Sequence, residues 1–279
     1  MILSGTGILA GVMGWPVSHS KSPRLHGYWL DLHKIDGAYV PLPVRPEDFP
    51  GCLRALAALG FRGVNLTVPH KVAALEICDT LDAAAQAIGA VNTIVFGEGR
   101  IEGRNTDAQG FIENLRQTAP EWRAKAGPAV VLGAGGAARA VVHALREAGA
   151  PDIRLANRTK DRAASLARDF APGVSVVEWR NRAAALQDAN LLVNTTSLGM
   201  AGQEPLDLAL DALPASALVN DIVYAPLETA LLRDARARGN RTVDGLGMLL
   251  HQARPGFAAW FGVTPEVTPA LRAFVLGQA

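Results

Sequence analysis

Residues 129–138 read Ala129-Val130-Val131-Leu132-Gly133-Ala134-Gly135-Gly136-Ala137-Ala138, an apolar run that breaks into glycines and then into helix formers. Four apolar residues closed by glycine fit a strand buried on both faces, as inside a parallel sheet. The turn matches G-x-G-x-x-G/A, with Ala138 in the last place. Its glycines allow a tight bend and let a pyrophosphate approach the backbone, where the amides of the following helix meet its charge. Strand, turn and helix in that order are the context the motif needs, so a dinucleotide site is predicted here.

Outward toward the C terminus the pattern alternates. Strands are predicted at 152–156, 174–177, 191–194, 218–221 and 242–244, and helices at 137–147, 159–169, 181–186 and 229–238. That is a doubly wound arrangement. The end of the second strand decides between dinucleotides, because an NAD site usually presents an acidic residue there, about 20 residues past the glycines. This chain has Asn157-Arg158-Thr159-Lys160 and then Arg162. Arg158 is either a solvated arginine at a helix start or a planar fork that grips a 2′-phosphate. The missing acid together with two arginines favours NADP. Asn194-Thr195-Thr196-Ser197-Leu198-Gly199-Met200 ends a later strand in hydroxyls and glycine, as a nucleotide-side loop would.

Toward the N terminus, Gly63-Val64-Asn65-Leu66-Thr67-Val68-Pro69-His70-Lys71 is a second passage from strand to turn. It places Thr67 and Lys71 where the carboxyl end of a strand opens into a crevice. Strands at 7–13 and 38–43 alternate with helices at 22–34 and 46–60 before it, which implies a mainly parallel sheet. Helices are predicted from His70-Lys71 and over 79–89, followed by a hairpin through Gly97-Glu98-Gly99-Arg100. Ser22-Pro23 reads as N-cap and N1 of a helix, or else its hydroxyl joins Ser20 and His19 ahead of a helix terminus suited to a carboxylate. Asn92 is a turn former or a ligand contact. Asp107 caps a helix over 108–117, serves as a catalytic carboxylate, or does both.

The 279 residues suffice for two domains, and with a net charge of +1 nothing suggests the broad basic field of a nucleic-acid binder. Nowhere do about 18 apolar residues run together, and 1–12 lacks a basic n-region and a small-residue cleavage site. A strand at the start, no membrane partner and a cytoplasmic protein are expected. Cys52 and Cys78 lack CxxC spacing and read as small apolar residues. No H-x-x-x-H or cysteine-histidine cluster occurs, so no metal is expected.

The motifs GWPVSHSKSPRLH, GVNLTVPHK, GAVNTI, GRNTDAQG, GAGGAARA, NRT, NTTSLGM, NDIVY and DGLGMLLHQA follow one another over nearly the whole chain. Together they resemble the shikimate dehydrogenases, which reduce 3-dehydroshikimate to shikimate with NADPH on the way to chorismate and the aromatic amino acids. The resemblance implies two α/β domains. One, mainly parallel, binds substrate and carries the catalytic groups; it comprises residues 1–108 completed by C-terminal helices in 248–279. The other, 109–247, is a Rossmann NADP-binding domain.

The resemblance also implies roles. Lys71 and Asp107 would be the catalytic pair. Ser20 and Ser22 would hold the substrate carboxylate, Thr67, Asn92, Asp107 and Gln252 the ring hydroxyls, with Tyr224 near the ring. Gly133, Ala134, Gly135, Gly136 and Ala137 would hold the pyrophosphate, Asn157, Arg158, Thr159 and Arg162 the adenosine phosphate, and Ile222 and Gly245 the nicotinamide. A monomer or homodimer is expected. The chain departs from the family at Gly27, where asparagine is usual; a glycine inside a helix costs about 1 kcal/mol relative to alanine.

Reducing a ring ketone takes a hydride and a proton for the developing alkoxide. Lys71 is the expected proton donor; the other reading makes it a charge that orients the substrate. His70 is expected at a helix start, pointing elsewhere. His19 and His26 have no triad spacing. Two rivals remain: a quinate or shikimate dehydrogenase using NAD, and a non-catalytic NADP-binding regulatory protein, which predicts loss of Lys71 or Asp107.

Overall fold

The structure is a computed structural model describing residues 3–278; Met1, Ile2 and Ala279 lie outside the described residues. The chain divides into two compact units, Met1–Asp107 with Leu249–Ala279, and Ala108–Met248.

The first unit is built on six strands, β1 (Ile8–Gly14), β2 (Gly37–Pro43), β3 (Phe61–Leu66), β4 (Thr80–Leu81), β5 (Thr93–Gly97) and β6 (Arg100–Arg104), in the order β2-β1-β3-β5-β6-β4. Parallel pairing links β1 to β2 and β3 and links β4 to β6, whereas β5 runs against both its neighbours. Helices α1 (Ser22–Leu32), α2 (Phe49–Ala58) and α3 (Ala83–Ile88) connect them. Met13, Phe49, Leu53, Val64 and Ile94 share one core. Gly63 is required by a close approach: a Cβ there would lie 2.0 Å from the Ile94 carbonyl oxygen.

Three expected elements differ. No α-helix starts at His70-Lys71, because the Lys71 carbonyl accepts the Val91 amide at 2.7 Å, which leaves only a 3₁₀ turn, Ala73–Glu76. The helix expected over 79–89 begins at Ala83, where the Asp82 carboxylate takes the Ala85 amide at 2.6 Å; Thr80–Leu81 instead pairs with β6. Ser22 is not an N-cap. Lys21 holds that position, and the Ser20 hydroxyl accepts the Ser22 amide at 3.3 Å.

The second unit holds β7 (Ala129–Leu132), β8 (Ile153–Asn157), β9 (Val174–Glu178), β10 (Leu191–Asn194), β11 (Leu218–Asp221) and β12 (Arg241–Val243). All are parallel, in the order β12-β11-β10-β7-β8-β9, which is the doubly wound Rossmann order. With them run α4 (Asp107–Thr118), α5 (Gly136–Glu147), α6 (Lys160–Asp169) and α7 (Ala230–Ala237). Alternate residues of β7 feed opposite cores, Ala129 and Val131 with Phe111, Val141 and Leu145, Val130 and Leu132 with Leu192, Val219 and Leu232. The helix expected over 181–186 is absent. Its residues make i→i+3 bonds in two 3₁₀ turns, Trp179–Asn181 and Ala184–Leu186.

Two helices close the chain, α8 (Leu246–Phe261) and α9 (Pro269–Leu276), and from Leu249 on they belong to the first unit. The Trp260 indole donates to the Ile94 carbonyl at 2.9 Å, and Arg24 of α1 donates to the Phe274 carbonyl at 2.6 Å.

Candidate active site

Polar side chains from the turns after β3 and β6, from the start of β5 and from α8 meet in the first unit. Lys71 Nζ donates to Asp107 Oδ2 at 2.5 Å, and the two side chains are 17% and 5% exposed. Asp107 Oδ1 accepts from Asn92 Nδ2 at 2.9 Å, so both carboxylate oxygens are engaged. The Asn92 amide group also lies 3.1 Å from Gln252 Oε1, and its Oδ1 accepts the Thr106 amide at 2.9 Å. Thr106 Oγ1 donates to the Gln252 carbonyl at 2.8 Å, which ties α8 to this cluster. Behind it, Asn65 accepts the Tyr39 hydroxyl at 2.7 Å and donates to Thr93 Oγ1 at 3.1 Å.

The carboxylate is available because Asn105, not Asp107, serves the helix start. Asn105 Oδ1 accepts the Asp107 amide at 3.0 Å, and Asp107 is the first residue of α4. Removing two charges from water costs several kcal/mol per ion, so a mostly buried pair is weak as a stability device and points to chemistry. Thr67 stands half-buried at the end of β3, its methyl group packed where Gly14 leaves room. Ser20 and Ser22 lie side by side at the start of α1, with Ser22 buried and its amide bonded to the Ser20 hydroxyl.

The histidines are occupied elsewhere. His70 Nε2 bonds the Val44 carbonyl at 2.8 Å, its ring stacks on Phe49, and burial lowers its pKa, so it is a core residue where a helix start was expected. His26 is fully buried, stacked 3.9 Å from Tyr39, and burial pushes its pKa down to about 3. His19 is exposed. Among the described residues no cluster of histidine, cysteine and carboxylate groups could hold a metal, and Cys52 and Cys78 are free thiols.

In the second unit the strand ends form a separate polar edge. Gly133 has φ 110, and a Cβ there would lie 2.6 Å from Thr195 Oγ1. Only glycine fits both conditions. Thr195 Oγ1 in turn donates to the Leu132 carbonyl at 2.6 Å. Gly135, the N-cap of α5, provides no side-chain cap and has open space around it, so the first-turn amides and the ground before them are clear. Asn194 donates to Asp221 Oδ1 at 3.0 Å, and Asp221 also accepts the Val223 amide and the Thr229 hydroxyl. Burial raises the Asp221 pKa to about 6 against those three donors. Gly245 is brought against Ile222, since a Cβ on it would lie 2.1 Å from the Ile222 carbonyl oxygen. Tyr224 follows half-buried. Asn157 and Arg158 line a cavity of about 480 Å³ at the ends of β8 and β9. Thr159 and Arg162 are exposed and lie outside that lining.

Residues 12–94 match the substrate binding domain of shikimate dehydrogenase, and residues 115–201 match shikimate / quinate 5-dehydrogenase. A shikimate dehydrogenase (NADP(+)) from Paramagnetospirillum magneticum is 62% identical over 275 residues, 98% of this chain and 100% of the relative. The chain belongs to the shikimate dehydrogenase family. Among solved structures, shikimate 5-dehydrogenase from Thermus thermophilus in complex with NADP(H) and shikimate superposes with a TM-score of 0.87 at 40% identity, over 98% of this chain and 100% of that one. A quinate dehydrogenase from Corynebacterium glutamicum in complex with NAD gives 0.89 at 32% identity, over 97% and 99%. The fold is thus shared with relatives solved in complex with NADP(H) and with NAD.

The sequence-expected residues Lys71, Asn92, Asp107 and Gln252 of this family member converge in one hydrogen-bonded cluster. Missed in the sequence were the groups that hold it, Tyr39, Asn65, Thr93 and Thr106, and, at the cofactor edge, Asp221, which pairs with the Asn194 of the expected nucleotide-side loop. Each sits in or just beyond a strand, where a polar residue among apolar ones is the only signal. Asn65 within Gly63-Val64-Asn65-Leu66 and Asn220-Asp221 after Leu218-Val219 carry that signal.

Proposed function

We propose that the chain catalyses the reversible, NADPH-dependent reduction of 3-dehydroshikimate to shikimate, with Lys71 and Asp107 as the proton-handling pair. The observation that carries this reading is the 2.5 Å pairing of Lys71 with Asp107 inside a cluster whose other members also bond Asn92 and Gln252. The glycine turn fits a pyrophosphate, because Gly133 makes the bend, Gly135 leaves the approach open and the first-turn amides of α5 lack a side-chain acceptor. Asn157 and Arg158, with no carboxylate at the end of β8, fit a 2′-phosphate. Ile222 and Gly245 would line the nicotinamide end.

When bound, the reduced nicotinamide supplies the hydride. Lys71 hands a proton from Nζ to the ketone oxygen as charge develops on it, and in oxidation the neutral amine takes the proton back. Asp107 holds Nζ in place through Oδ2 while Asn92 fixes Oδ1, so the pair is oriented before substrate arrives. Gln252, Asn92 and Thr67 would bond ring hydroxyls, and the Ser22 and Ser20 hydroxyls would donate to the carboxylate. Tyr224 would approach the ring.

No helix among the described residues is long and apolar enough to cross a membrane. The reading is of a cytoplasmic enzyme working as a monomer or homodimer. Initial rates with shikimate or quinate against NADP or NAD test it. The pair shikimate and NADP should give the largest kcat/KM; a preference for quinate with NAD would make this a catabolic dehydrogenase, and inactivity with all four would return the non-catalytic reading.

A further inference from the structure

The cavity at the ends of β8 and β9 holds more charge than the Asn157-Arg158 pair accounts for. Asn157 pairs with Glu178 across the two parallel strands, so the residues after each emerge from one sheet edge. Lys160, Glu178, Trp179 and Arg180 line the cavity together with Arg158. One carboxylate holds two cations: Glu178 Oε2 lies 2.7 Å from Arg180 and Oε1 lies 3.7 Å from Lys160. Among the described residues Arg158 meets the exposed Glu204 carboxylate, at 3.8 Å, and all three pairs are solvated and of little strength, so a bound anion can compete for them.

Three cations against two carboxylates, Glu178 and the exposed Glu204, leave a net charge of about +1 at this corner, of the sign to attract a phosphomonoester carrying about −1.5 to −2 at neutral pH. We infer that Lys160 and Arg180 complete the 2′-phosphate site begun by Arg158, and that Glu178 competes with the phosphate for both. The inference rests on the proposed use of NADP and extends it to residues on a second strand. A lysine supplies a point charge and two arginines supply planar forks, so the phosphate can be held from three sides. Glu178 lowers the affinity by occupying two of the three cations until phosphate displaces it. This corner therefore sets NADP preference by a balance between Arg180 and Glu178. NADH, lacking the phosphate, gains nothing from either.

Binding of adenosine 2′,5′-bisphosphate and of 5′-AMP to the intact protein, alongside KM for NADPH and NADH, tests this on Arg158→Gln, Arg180→Gln and Glu178→Gln. Arg180→Gln should weaken the bisphosphate and raise KM for NADPH about 5- to 10-fold, with 5′-AMP, NADH and shikimate unaffected. Glu178→Gln should shift the same two quantities the other way. A merely structural role would move NADH and NADPH together and would not give opposite signs. If Arg158→Gln weakens the bisphosphate but Arg180→Gln does not, the inference fails and the NADP reading stands. If neither variant alters it, both fail.

Discussion

Asp107 does two jobs with one carboxylate, and they separate by substitution. Asp107→Asn keeps an oxygen for the Asn92 amide but withdraws the charge from Lys71. Leaving one partner of a mostly buried ion pair costs about 3–5 kcal/mol, and releasing the proton carrier Lys71 from its held position forfeits much of the about 10²–10⁴ in rate that a positioned proton carrier contributes. Asp107→Asn should therefore lower the thermal midpoint and reduce kcat at least about 10²-fold, as read by melting and by NADPH absorbance. An unchanged kcat with a lowered midpoint would make Asp107 a structural residue. The pair was legible in the sequence through the order of motifs. That Asn105 would take the amide and free the carboxylate was not, because a residue's choice between cap and site depends on which neighbour reaches the helix start first.

At the scale of elements, α1 carries Gly27, where the resemblance leads to an expected asparagine. Gly27 faces solvent in the helix interior, and a Cβ built on it meets nothing within 4 Å. Alanine there should remove backbone entropy from the unfolded chain without strain, raising stability by about 0.5–1 kcal/mol. Urea denaturation of Gly27→Ala measures this, and kcat should be unchanged; a loss of stability would mean the helix needs its glycine. The strands were the most legible elements, since runs such as Val130-Val131-Leu132 and Leu191-Leu192-Val193 are apolar throughout. Short helices were less so. The segment after Lys71 has helix-forming alanine and leucine, yet one bond from the Val91 amide to the Lys71 carbonyl redirects it, and its two ends lie far apart in sequence.

On the scale of the molecule, one buried group in each unit couples stability to acid, and the two act in opposite directions. His26, in the first, keeps a neutral ring down to about pH 3, while an exposed histidine protonates near 6.5. As pH falls from 6.5 toward 3 the unfolded chain takes up a proton that the fold refuses, so stability is lost. Asp221, in the second, is raised to about 6 from 3.8. As pH falls from 6 toward 3.8 the fold takes up a proton that the unfolded chain does not, so stability is gained. Hydrogen exchange corrected for intrinsic rates, at about pH 7 and about pH 5, should show protection falling in β1–β3 and rising in β10–β11. His26→Phe should abolish the first trend and Asp221→Asn the second; uniform change across both units would contradict this assignment. Neither group was legible as a buried titrating site in the sequence, because burial arises from packing between distant segments, with Tyr39, Trp29 and Phe257 around His26. The division into two units, by contrast, was expected from the resemblance, which returns the last helices to the start of the chain.

At the centre stands the proposed proton transfer by Lys71. Steady-state kinetics of Lys71→Met, a substitution of similar length without the charge, tests it most directly. A kcat lower by about 10²–10⁴ is expected, with KM for shikimate within a few-fold of wild type. A steep rise in KM at unchanged kcat would make Lys71 a binding charge and contradict its role as proton carrier.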